Sequence, residues 1–224
     1  MNHTITVNAA RLAQALKDAT LYASKDSSEE GMNTVVLTIT PQTRLAVLAC
    51  DSHGYYENQL PLIHDENEPK PTLPGERQML CIAPADALML TKHISPRSIG
   101  CVTVSLNDSK RPGGKYRVTL TMPDGGTITI FCKADINVPD YNGFVSKAEA
   151  SKEDAPDLFD VSIPVHEMIR ASKVFPKTSG TVARMYTSLG QRKGHMALLE
   201  YQNDSEDAYI RVIFMFAAIE AQAA

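Results

Sequence analysis

Apolar and polar positions along the chain switch between two periods, and they do so three times. Residues 4–7 alternate as a short strand. From Ala9 the spacing lengthens: Leu12, Leu16, Ala19 and Ala23 fall at i, i+4, i+7 and i+11, one narrow stripe that predicts a helix over 9–24. Alternating stretches follow at 34–40, 44–50 and 55–62, the first two separated by the turn Pro41-Gln42-Thr43. The same order restarts at 79–82 and enters a helix through Pro84, a residue favoured at the first helical position because its missing N–H would be unpaired there anyway. Ala87, Leu90, Thr91 and Ile94 form its inward face, and strands are predicted at 102–106, 116–122 and 127–133. Pro112-Gly113-Gly114 and Pro123-Asp124-Gly125-Gly126 read as the hairpin turns between them. A third round begins at 159–163, again with a proline (Pro164) at the helix start. Val165, Met168, Ile169, Ser172 and Phe175 make its predicted buried stripe, before strands at 182–189, 196–201 and 209–216.

The anchors Val7, Ile82 and Ile163 lie 75 and 81 residues apart, a period suited to duplicated half-domains and too long for a short-repeat solenoid. The fold class expected is α+β: repeated β-α-β-β-β units with helices on one face of antiparallel sheets. Two units fill a first domain, 1–145, and one unit forms a half-domain, 157–224. Residues 64–77, with Pro69, Pro71 and Pro74, read as an exposed connection. An acidic, partly extended linker over 134–158 overlaps the end of the first domain.

Composition narrows the classes without choosing among them. At 43% apolar and 21% charged residues the chain is globular in type, and no apolar run reaches the roughly 18–20 residues of a membrane helix. No signal peptide is visible at the start, and the four cysteines form no CxxC pair, so reduced thiols in a cytoplasmic protein are expected. The net charge of -4 argues mildly against nucleic acid, but its distribution reverses the argument. The three helical segments hold Arg11, Lys17, Lys25, Lys92, Arg97, Arg170, Lys173 and Lys177 against only Asp18, Asp86 and Glu167. Ordinary solvated helix faces would account for any one of them. Three helices of one sign on an acidic chain fit a surface that follows phosphates without reading bases. No aromatic residues punctuate these stripes, so a stacking platform for single strands is not expected.

Enzyme chemistry finds no support. The chain has neither G-x-x-x-x-G-K-[ST] nor G-x-G-x-x-G. Asp51 and His53 share a strand face without a nucleophile in a known motif. The six histidines lack ligand spacing. No enzyme, cofactor or metal is expected.

Two segments carry a resemblance. Ala49-Cys50-Asp51-Ser52-His53-Gly54-Tyr55 resembles the Ala-Thr-Asp-Gly-His-Arg-Leu segment of bacterial DNA sliding clamps, the β subunit of DNA polymerase III. Val138-Pro139-Asp140-Tyr141-Asn142-Gly143-Phe144-Val145 is similar to the Phe-Pro-Asp-Tyr-Arg-Arg-Val-Leu segment of that family. The junction Ile82-Ala83-Pro84 and the last strand, 209–216, look like their counterparts there. The resemblance implies a divergent and shortened member. Its function would be that of a homo-oligomeric processivity factor in DNA replication, with helices lining a hole around duplex DNA. It also implies a pocket for peptides of DNA polymerase and other partners, carried over here to Cys50, Ser52, His53, Tyr55, Pro139, Phe144 and Met215. Gly54 and Tyr55 depart from the family's Arg and Leu, and Asn142-Gly143 from two Arg. His53 and Tyr55 also read as a strand-end histidine and an interior aromatic, and Asn142-Gly143 as a turn. The alternative function is a clamp-fold interaction module that does not encircle DNA, or a competitor for replication partners. Rings of that family contain twelve such units, so three per chain would call for four chains.

Overall fold

The structure, a computed structural model, describes residues 3–40, 44–63, 79–94, 97–111, 115–133, 136–150, 165–177, 184–188, 195–203 and 208–216. The strand expected at 159–163 and the connection at 64–77 lie outside these residues. The first unit is β1 (His3–Asn8), α1 (Ala9–Tyr22), β2 (Val35–Ile39), β3 (Arg44–Cys50) and β4 (Gly54–Pro61). The second is β5 (Met79–Ile82), α2 (Pro84–His93), β6 (Cys101–Arg111), β7 (Lys115–Thr121) and β8 (Thr127–Lys133). After them come α3 (Tyr141–Ala150), α4 (Val165–Ala171), β9 (Arg184–Ser188), β10 (His195–Asn203) and β11 (Ala208–Phe216).

Local chemistry sets the boundaries. Asn8 caps α1, its side-chain oxygen accepting the Arg11 N–H at 3.0 Å. Pro84 opens α2, with Asp86 in its first turn and Lys92 and His93 in its last, each favourable to the helix dipole. The turn between β7 and β8 needs a left-handed residue, and Gly125 supplies it at φ 84.

The eleven strands form one sheet in the order β1-β6-β7-β8-β5-β2-β3-β4-β11-β10-β9. The first two units exchange strands. β1 pairs with β6, the first strand after the other unit's helix (Val7 opposite Val102). Reciprocally, β5 pairs with β2 (Ile82 opposite Val35). Two of the anchors seen in the sequence repeat thus sit at the two exchange points. The Ile63 N–H donates to the Thr6 carbonyl at 2.8 Å, so the end of β4 returns to β1 and wraps the strands around α1 and α2, which pack against each other. The third unit joins edge to edge, β11 pairing antiparallel with β4 from Tyr209 opposite Gln59 to Phe214 opposite Gly54.

Alternation assigns the two faces of the sheet. Val47, Ala49, Tyr56, Val212 and Phe214 belong to one core with Leu12, Leu16, Leu90, Ala171 and Val174, so α1, α2 and α4 share a face. Leu48, Cys50, Tyr55, Leu198 and Ile213 belong to a smaller core on the other face, covered by Tyr141 with Ile136, Val138 and Val145 against it. The described part of the stretch expected as a partly extended linker, 136–150, therefore contains a helix. Asp140 starts it by accepting the Gly143 N–H at 3.0 Å, and Asn142-Gly143 lies in its first turn.

The predicted buried stripe of the third helix is corrected by the structure. Val165, Met168 and Ile169 are 72%, 41% and 53% exposed, while Glu167, Ala171 and Val174 are the buried positions. α1 packs along α2, whereas α4 meets only the C-terminal end of α1, where the Arg170 Nε donates to the Leu21 carbonyl at 2.9 Å.

Candidate nucleic-acid interface

The face bearing α1, α2 and α4 carries the candidate DNA contacts. Lys17, Lys25, Lys92, Arg97, Lys173 and Lys177 are exposed, and Arg11 is half-buried. The acids of the same segments do not balance them. Asp18 and Glu167 point inward at 2% and 3% exposure, leaving only Asp86 partly accessible. Burial raises the Asp18 carboxyl from its ordinary 3.8 to about 7, opposed by the Gln14 amide that donates to it at 2.8 Å and by the Lys17 charge. The helix surface is therefore poorer in negative charge than the residue count predicts.

Arg170, also expected at this surface, is committed elsewhere. Its Nη2 donates to Asp51 Oδ2 at 2.7 Å and its Nε to the Leu21 carbonyl at 2.9 Å. Its Nη1 lies 3.3 Å from both Glu167 oxygens, and the guanidinium stands 3.9 Å over the Tyr22 ring. Asp51 uses its other oxygen to accept the N–H groups of His53 and Gly54 at 2.9 and 2.8 Å, which shapes the β3–β4 turn. Arg170 thus ties α4 to that turn and to the end of α1. At Gly54 a Cβ would press on the Tyr22 ring at 3.3 Å and meet Arg170 Nη1 in ordinary contact at 3.5 Å. A cleft of about 620 Å³ opens beside this junction, lined among others by Lys25, Lys173, Ser52 and His166.

A second junction holds the third unit from the opposite face. Arg211 Nη1 donates to Glu57 Oε2 at 3.3 Å and its Nε to Glu200 Oε1 at 3.3 Å. Tyr55 and Gln59 also donate to Glu57, at 3.0 and 2.6 Å, and Tyr209 joins Arg211 and Glu200. Glu57 and Glu200 share the one Arg211 guanidinium, and Tyr55, Gln59 and Tyr209 supply further donors, the kind of satisfaction that makes burial of charge tolerable. Neither junction was read from the sequence, because each pairs residues more than a hundred positions apart: Arg170 with Asp51, and Arg211 with Glu57.

The candidate peptide-pocket residues meet only in part. Cys50 and Tyr55 are buried, and Tyr141 of α3 fills the space above them with its ring 5.6 Å from that of Tyr55. Burial pushes the Cys50 thiol up to about 11, so it is no nucleophile. Ser52 and His53 are exposed on the turn, joined by a 2.9 Å hydrogen bond. Pro139 precedes α3 and Phe144 lies within it, while Met215 lies on β11 opposite Met196. Among the described residues no cluster of His, Cys, Asp or Glu could hold a metal, and no helix is long and apolar enough to cross a membrane.

No family model and no curated protein matches this sequence. Solved structures do. The DNA polymerase sliding clamp from Bacillus subtilis aligns with a TM-score of 0.63 at 14% identity, over 97% of this chain and 65% of that one. DNA polymerase III subunit beta from Borrelia burgdorferi aligns with a TM-score of 0.58 at 12% identity, over 96% of this chain and 64% of that one. PCNA of A. fulgidus, bound to the C-terminal region of FEN-1, aligns with a TM-score of 0.51 at 10% identity, over 97% of this chain and 100% of that one. The fold is that of the DNA sliding clamps, α+β with an antiparallel sheet, in a chain that spans about two thirds of the bacterial clamps it resembles.

Proposed function

We propose that this protein is a sliding-clamp-like processivity factor that holds duplex DNA without reading its sequence and docks replication proteins on its outer side. The observation that carries the proposal is the turning of charge on the helix-bearing face. Lys17, Lys25, Lys92, Arg97, Lys173 and Lys177 stay in solvent, while Asp18 and Glu167 are withdrawn into the core. Long flexible lysines make weak, interchangeable phosphate contacts, which suits a protein that slides. The mechanism is topological tethering: no bond is made or broken, and retention comes from closure around the duplex. Partner peptides would dock beside α3, where Ser52, His53 and Pro139 remain accessible at the edge of the space that Tyr141 fills.

The test is retention on plasmid DNA. The protein should stay on nicked circles, fall off once they are linearised, and lose affinity with rising salt. Reversing Lys17 and Lys92 to Glu should lower the salt slope by about 2, near 0.9 per lost phosphate contact. Equal retention on circular and linear DNA refutes encirclement and leaves the interaction module. An unchanged salt slope refutes the helix face as the contact surface.

A further inference from the structure

Asp51 serves two sites at once. Its Oδ1 accepts the His53 and Gly54 N–H groups at 2.9 and 2.8 Å, which holds the turn that carries Ser52 and His53. Its Oδ2 accepts from Arg170 Nη2 at 2.7 Å, and Arg170 lines the same cleft as Lys25, Lys173 and His166. A guanidinium has five N–H donors in a planar fork. The Leu21 carbonyl takes the one on Nε, the Glu167 oxygens take Nη1, and Asp51 takes one on Nη2. The second N–H of Nη2 has no partner among the described residues. Two further acids on the cleft wall are engaged: Glu29 accepts the Ser24 hydroxyl at 2.6 Å, and Asp26 the Ser28 N–H at 2.8 Å. Lys25 and Lys173 stand exposed beside them.

We propose that Asp51 and Arg170 form a relay between the DNA face and the partner-docking turn. A backbone phosphate held in the cleft by Lys25 and Lys173 draws the Arg170 guanidinium away from Asp51, and the turn that offers Ser52 and His53 loosens. The relay rests on the function proposed above and adds its regulation. Carboxylate and phosphate both match the guanidinium fork, so one can replace the other at similar strength. The two lysines tip the exchange, because they attract the phosphate and touch neither Asp51 nor Glu167 within ion-pair distance. Asp51 and Arg170 are 21% and 15% exposed in their side chains, so water can take up the released carboxylate and the phosphate can reach the guanidinium. Linkage makes the effect reciprocal: a partner that fixes the turn in its DNA-free form weakens the phosphate contact by the same factor. A chain with a docked partner would then grip its duplex less.

The experiment is amide hydrogen exchange of the full chain, alone and on nicked plasmid, read by mass spectrometry over the β3–β4 turn. DNA should speed exchange of the His53 and Gly54 amides by about two- to tenfold, the range expected for one weakened hydrogen bond. Simple shielding by DNA would slow it. Asp51→Asn keeps an oxygen for those two N–H groups and removes the acceptor for Arg170. This variant should bind plasmid more tightly, with a salt slope steeper by about 0.9 for the added phosphate contact, and its turn should no longer respond to DNA. Asp26→Asn removes the same charge from the same cleft and should keep the wild-type slope and response. Slower or unchanged exchange on plasmid, or an Asp51→Asn slope equal to that of the wild type, overturns the relay. Plasmid binding without the exchange response removes the relay alone, whereas a chain that never binds plasmid removes the proposed function and the relay together.

Discussion

The paired units and the third unit use the same β-α-β-β-β order, yet they hold their helices by different physics. α1 is an alanine- and leucine-lined helix whose buried positions, from Ala9 through Leu12 and Leu16 to Ala19, are satisfied by close packing. α4 buries only Glu167 and Ala171 within its length and is held by the charges that converge on Arg170. Packing is strong wherever a unit has another unit to close on. At α4 a directional ion-pair junction shares the holding with Ala171 and Val174, and Val165, Met168 and Ile169 stay exposed.

The largest effect expected from breaking this contrast is in the paired units. Leu16→Ala should cost as much as about 5 kcal/mol by urea denaturation, since a fully buried leucine leaves a cavity. Ile169→Ala should change the stability of the isolated chain by less than about 0.5 kcal/mol. A comparable cost at both sites would erase the distinction.

The buried acids sharpen it. Asp18 has only the exposed Lys17 as a nearby charge opposing its burial among the described residues, and its carboxyl sits near 7, above its unfolded value of 3.8. Between those values the folded state keeps a proton that the unfolded state releases. Stability should therefore be greatest below about pH 4 as far as this group is concerned, and fall as pH climbs to 7. Asp18→Asn should flatten that slope and gain as much as about 4 kcal/mol at pH 8, three units at 1.36 kcal/mol each. Denaturation midpoints across pH 4–8 decide it; a slope that survives the substitution would assign it to another group.

Arg170→Ala should cost about 3 kcal/mol without any DNA present, because it strands the carboxylates of Glu167 and Asp51 in a partly buried site. Arg170→Lys should recover less than half of that, since one ammonium cannot reach Leu21, Asp51 and Glu167 together. Unfolding in DNA-free buffer gives the answer: an arginine that served phosphates alone would leave it unchanged.

Period and turn chemistry made the repeat legible. The bounds of β3, β5 and β8 fall where alternation places them, and Pro84 opens α2 as its position predicts. α3 was hidden because Asn142-Gly143 is a turn signal in isolation. The capping oxygen of Asp140, three residues before Gly143, was the available clue. Arg170 fitted a basic stripe on its own helix, and nothing local discloses a partner 119 residues away. The stripe of Val165, Met168 and Ile169 is the instructive case. Helical periodicity marks an apolar stripe but not its rotation: here the pairing of Glu167 with Arg170 and the burial of Ala171 and Val174 turn a different side of α4 inward.

The strand exchange between the first two units also sets a timetable. β1 leaves the ribosome long before its partner strand, since Leu106, opposite His3, is made about a hundred residues later. At about 5–20 residues per second that is on the order of 10 s during which β1, with Ile5 and Val7 on one side, waits for its partner strand. The first unit cannot close early by itself, because β2 is waiting in turn for β5. Duplication joined by exchange therefore gives a chain that becomes stable late and all at once, with slow folding set by its long-range pairings.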